Sequence, residues 1–121
     1  MPPACAIAVL LAAFAVAGCG GGPPVARVTG GDVAVTLDEY LISPQDIEVA
    51  PGRVTFTVVD RGRLRHSFRL WGAGGEPVTV KSLFPGDSAR RTATLRPGKY
   101  RMVCTIMNHS ELGMTGRLIV R

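Results

Sequence analysis

Cys104, His109 and Met114 follow one another at intervals of five residues in the segment CTIMNHSELGM. They offer a thiolate sulfur, an imidazole nitrogen and a thioether sulfur from one short stretch. The only other histidine, His66, lies about 40 residues earlier, a spacing that a folded domain must close. Two imidazoles with a soft thiolate form the trigonal His₂Cys arrangement that suits copper, and methionine is its usual weak axial ligand. Zinc competes for Cys and His, but a structural zinc site takes four strong N or S donors, and a thioether is a poor one. The methionine therefore favours copper over zinc.

The chain has three cysteines, and the N-terminus accounts for two of them. Ala4 to Ala17 is an uncharged apolar run, short for a membrane span, that ends in small residues before Cys19. That is the pattern of a signal-peptide core. Val16-Ala17-Gly18-Cys19 resembles a bacterial lipobox, in which the signal is cut before the cysteine and the thiol is lipidated. One departure is that Met1 to Ala4 carries no Lys or Arg. Residues 1–18, Cys5 included, are read as a lipoprotein-type signal peptide, and Cys19 as the lipidation site. An ordinary secretory signal, leaving a soluble secreted or periplasmic protein, is the alternative. Residues 19–31 are rich in glycine and proline and read as a flexible tether. Residues 32–121 are read as the folded domain. Cys104 is then the one free thiol of an extracytoplasmic domain, exposed to oxidation and without a disulfide partner in its own chain. Metal ligation gives it a role.

The elements that must position these donors are strands. The chain of 121 residues has 15 Gly and 9 Pro and, after residue 20, no stretch of helical period, so it reads as many short strands joined by tight turns. Period-two alternation marks Val33 to Leu37, Ile47 to Val49, Arg53 to Val59, His66 to Trp71, Val78 to Val80, Lys99 to Cys104 and Gly116 to Val120, and Ala89 to Leu95 is a less clearly patterned strand. His66, Phe68 and Leu70 share one face of their strand, so His66 begins an inward row, while Ser67 and Arg69 point the other way. Tyr100, Met102 and Cys104 share another such face. Trp71 and Tyr100 are read as core residues. Seven or eight short strands in about 90 residues predict an all-β, two-sheet sandwich with one small core.

The formal charge is +5, with Arg61, Arg63 and Arg65 clustered and Arg90 and Arg91 adjacent. Such a balance describes a solvated basic face or favours an acidic partner or anionic surface. Without an aromatic-rich basic motif, nucleic acid is not an expected partner.

With these residues in view, the chain resembles the cupredoxins, the blue copper proteins of the plastocyanin and azurin type, and is most similar to auracyanin-like small bacterial members. The resemblance spans about Val33 to Val120. It rests on the inward histidine in RHSF, on Cys-x4-His-x4-Met in CTIMNHSELGM, on the preceding PGKYRMVC and on the following TGRLIV. It implies a Greek-key β-sandwich with one type 1 copper ion held by His66, Cys104, His109 and Met114. Ser67, Thr105 and Asn108 are implied beside these ligands. Ser67 stands where many members carry Asn and has a shorter reach toward the Cys104 loop. Asn108 stands where many carry Gly, and Asn tolerates the left-handed backbone such a turn asks for.

The resemblance also implies a function. The protein would be a monomeric one-electron carrier that meets redox partner proteins transiently, anchored to the outer side of the cytoplasmic membrane through Cys19. Met107, His109 and Leu112, with Pro85 nearby, would form its electron port. The alternative use of the same ligands is a lipid-anchored protein that buffers or delivers copper. Multicopper oxidases and copper nitrite reductases need further histidines for a second copper centre, and this chain has two, so an enzyme is not expected.

Overall fold

The structure is a computed structural model and describes residues 24–121. Residues 1–18, read above as a signal peptide, and Cys19 lie outside the described residues.

Ten strands build two facing sheets: β1 (Val25–Val28), β2 (Asp32–Asp38), β3 (Leu41–Ser43), β4 (Asp46–Val49), β5 (Gly52–Asp60), β6 (His66–Gly72), β7 (Val78–Leu83), β8 (Ser88–Leu95), β9 (Gly98–Val103) and β10 (Thr115–Val120). The larger sheet has the order β1-β4-β10-β9-β6-β7, and the smaller the order β3-β2-β5-β8. Crossovers of the Greek-key kind bring distant strands together: β10 lies antiparallel to β9 and parallel to β4, and β2 lies parallel to β5. The expected β-sandwich is the observed one.

Alternation explains the core. Val33, Val35 and Leu37 of β2, and Val54, Phe56 and Val58 of β5, face inward from the smaller sheet; Phe68 and Leu70, Tyr100 and Met102, and Leu118 and Val120 answer from the larger. Phe56 and Phe68 meet across the layers with ring centroids 6.1 Å apart.

Three local expectations change. Val25–Val28, read as part of the flexible tether, is strand β1, paired in parallel with β4. Its alternating Val-Ala-Arg-Val is too short to stand out from the surrounding glycines, and β4 supplies the ladder that orders it. Leu41–Ser43 is a further short strand, β3, returning from a tight turn against the end of β2. Trp71 is not a core residue: it is partly exposed, and the Arg69 guanidinium lies 5.6 Å from the centre of its ring. Alternation from His66 through Phe68 and Leu70 turns Trp71 outward, and the outer face leaves the ring beside Arg69. Tyr100 is buried as expected, and its hydroxyl donates to the Arg96 carbonyl at 2.9 Å.

Candidate metal centre

Three loops gather at one end of the sandwich. The parallel pairing of β2 with β5 places Leu37 beside Asp60, so both strands end at the same edge. From there the chain passes through Glu39 and Tyr40 on one side and through residues 61–65 on the other. The 61–65 loop is pinned at its start: Arg61 N–H donates to the Leu37 carbonyl at 2.8 Å, and Gly62 N–H donates to Asp60 Oδ1 at 2.8 Å. It delivers His66 into the core. The third loop, residues 104–114, leaves β9 and returns as β10.

His66, Cys104 and His109 are all buried, and one donor atom from each lies within 4.8 Å of the others. Cys104 Sγ is 3.6 Å from His109 Nδ1, and the two imidazole rings have centroids 5.1 Å apart. His66 Nδ1 is buried with no hydrogen-bond partner among the described residues. A buried imidazole nitrogen left unpaired costs free energy unless something else occupies its lone pair. Met114 is fully buried next to this cluster, and its carbonyl accepts the Cys104 N–H at 3.1 Å.

The loop that carries three of these residues is internally bonded. Met114 N–H and Leu112 N–H both donate to the His109 carbonyl at 3.1 Å, and Gly113 takes a φ of 109° that lets the chain turn back. Asn108 was expected to supply a left-handed backbone position; Met107 takes it instead, with φ 47°. Asn108 contributes its carbonyl, which accepts from Leu112 N–H at 3.2 Å.

Ser67 was expected to point away from the core, yet it is buried, because the Cys104 loop closes over it. Its hydroxyl accepts the Thr105 N–H at 2.7 Å and bonds Thr105 Oγ1 at 2.8 Å. Its backbone N–H points at Cys104 Sγ across 3.4 Å. Ser67 and Thr105 thus tie the loop to β6.

Two residues at this end escaped the sequence reading. Glu39 Oε1 lies 3.2 Å from His66 Nε2, and the Tyr40 ring meets His109 edge-on with centroids 5.2 Å apart. Neither neighbours a ligand candidate in the chain, and the only hint was the acidic turn Asp38-Glu39-Tyr40 at a strand end. Outside the cluster, Met107 is 87% exposed and Leu112 50%, while His109 itself is 5% exposed. Tyr40, Leu64 and Phe84 add exposed apolar surface from the neighbouring loops.

No family model matches the chain, and no curated protein does. Solved structures do. An auracyanin from the photosynthetic bacterium Roseiflexus castenholzii, reduced with dithionite, aligns with a TM-score of 0.68 at 21% identity over 78% of this chain and 99% of that one. A purple cupredoxin from Nitrosopumilus maritimus aligns with a TM-score of 0.57 at 19% identity over 74% of this chain and 100% of that one. The fold is the cupredoxin fold. The same fold accounts for 28% of a Cu-containing nitrite reductase from Thermus scotoductus, which aligns with 80% of this chain at a TM-score of 0.62 and 21% identity.

Within this cupredoxin fold the donor set fits one type 1 copper ion. Two imidazoles and a thiolate converge in a buried space, and His66 Nδ1 has no partner among the described residues. A closed zinc site would want a fourth strong N or S donor, and among the described residues no other His or Cys joins the cluster.

Proposed function

We propose that the protein is a one-electron carrier built on a single type 1 copper ion, with His66 through Nδ1, Cys104 and His109 as strong ligands and Met114 as the weak axial one. The observation that carries this reading is the convergence of three buried donors within 4.8 Å around an unsatisfied imidazole nitrogen. Copper held there supplies reversible exchange between Cu(II) and Cu(I). The protein's part is to hold one geometry through both states: the loop is tied to β6 by Ser67 and Thr105, and the donors are sealed from water. Burial of all three donors supports retention of the ion and argues against the alternative use in copper delivery, which asks for accessible ligands.

Electrons would enter and leave at the loop end, where exposed Met107 and Leu112 surround the shielded His109. Arg61, Arg63 and Arg65 are exposed on the neighbouring loop. An apolar port with a cationic rim fits a redox protein whose own port is ringed by acidic groups, in a small and short-lived contact. The N-terminal sequence supports a location outside the cytoplasmic membrane, with Cys19 as a lipid anchor.

The test is visible absorption and electron paramagnetic resonance of the protein loaded with Cu(II), beside Cys104→Ser. An intense thiolate-to-copper charge-transfer band with narrow copper hyperfine splitting, absent from Cys104→Ser, is the expected result. A colourless protein that binds only Cu(I), or no copper, overturns the electron-carrier reading.

A further inference from the structure

The proposed ligand His66 has a partner on its far side. Glu39 Oε1 lies 3.2 Å from His66 Nε2 and also accepts the Arg63 N–H at 2.6 Å and the Leu64 N–H at 2.7 Å. An oxygen that already accepts two backbone N–H groups faces Nε2 as an acceptor, not as a donor. A carboxylate accepts hydrogen bonds and donates none.

A carboxylate facing Nε2 requires the proton on Nε2, and in neutral imidazole that leaves Nδ1 bare. Nδ1 is the nitrogen found buried without a partner. The local sequence makes room for this arrangement. A Cβ on Gly62 would sit 2.5 Å from Glu39 Oε1 and 2.8 Å from His66 Nε2, so any larger residue would push the pair apart. Asp60 holds that glycine in place through its N–H.

We propose that Glu39 is a positioning residue of the metal centre, selecting the His66 tautomer that presents Nδ1 to the ion and strengthening the imidazole as a donor, so that it favours Cu(II) over Cu(I). This rests on the copper reading above. A carboxylate behind a ligating histidine orients the ring and raises its basicity, and loss of such a partner typically weakens metal binding by about 10–100-fold. The added electron density favours the more highly charged ion, so removing it raises the reduction potential.

Glu39→Gln keeps the shape and an acceptor oxygen but removes the charge. The measurements are Cu(II) and Cu(I) affinity by chelator competition, Zn(II) affinity, and the reduction potential by redox titration. The expected result is about tenfold weaker Cu(II) binding with Cu(I) less affected, retention of the blue band, and a potential raised by about 59 mV for each tenfold of difference. Unchanged affinities and potential, with only a lowered melting temperature, overturn the proposal.

A second measurement needs no variant. In the metal-free wild type, ¹⁵N-resolved NMR is expected to show the neutral His66 ring protonated at Nε2, and a proton on Nδ1 overturns the proposal. If wild type forms no blue centre, the copper reading fails by itself. The Zn(II) comparison and the tautomer still decide the role of Glu39.

Discussion

Ser67 presents its backbone N–H to the Cys104 sulfur at 3.4 Å while its hydroxyl, 3.7 Å from the same sulfur, accepts the Thr105 N–H at 2.7 Å. One residue of β6 therefore meets the 104–114 loop at two successive positions. The hydroxyl has a single proton to share between Cys104 Sγ and Thr105 Oγ1, so the constant donor to the sulfur is the backbone.

Ser67→Ala leaves the Thr105 N–H, in a part-buried bond, without its acceptor. The expected loss of stability is about 1–3 kcal/mol, read from denaturant unfolding, because an abandoned partner costs more than the bond itself contributes. A change within about 0.5 kcal/mol, the range of an inert surface substitution, refutes the tie.

Met114→Leu separates ligation from packing. The side chain is fully buried, and a Leu-for-Met exchange of similar volume typically costs under about 1.5 kcal/mol. If Met114 is the weak axial ligand proposed above, it sets part of the reduction potential. The variant is therefore expected to stay folded and blue with a raised potential. A potential equal to that of wild type makes Met114 a packing residue.

Leu112→Glu tests the port. Leu112 is half exposed beside His109, so a charge there leaves the copper spectrum intact and obstructs an acidic partner. Electron exchange with an acidic redox protein is expected to slow about tenfold, equivalent to about 1.4 kcal/mol. Exchange with wild type should also weaken as salt screens the arginine rim. An unchanged rate for the variant places the port elsewhere.

Glu48 and Arg121 join the ends of β4 and β10, with Arg121 donating to Glu48 Oε2 at 2.7 Å. That hydrogen bond, aided by the charges of Arg121 and Arg27, lowers the Glu48 carboxyl below its ordinary 4.5. A group lowered on folding stabilises the native state above its unfolded value and loses that contribution as pH falls through its folded value. Arg121→Ala should therefore melt slightly below wild type at pH 7, with the gap closing well below pH 4.5. The pair is exposed, so the gap should be small. A gap of constant size from neutral to acid pH contradicts this account.

Much of the centre was legible in the chain because its signals are local. The five-residue intervals from Cys104 to His109 to Met114 lie within one loop, and strand alternation alone turns His66, Tyr100, Met102 and Cys104 inward. Period two and the turns between runs located eight of the ten described strands, β8 with the weakest pattern, since a half-buried strand records its two environments residue by residue. The strands it missed, β1 and β3, span four and three residues and exist because neighbouring strands complete their ladders.

What only the tertiary structure decided is which loops meet. Glu39 and Tyr40 reach the two histidines because β2 and β5 run in parallel and end together, a pairing that no local pattern encodes. Ser67 is buried by a loop about 40 residues away in the chain, against its own alternation. Gly62 matters for the space it leaves between two side chains from different elements. Residue type and spacing determined the donor set, while the surroundings that select a tautomer, hold the thiolate and shield His109 arose from long-range pairing.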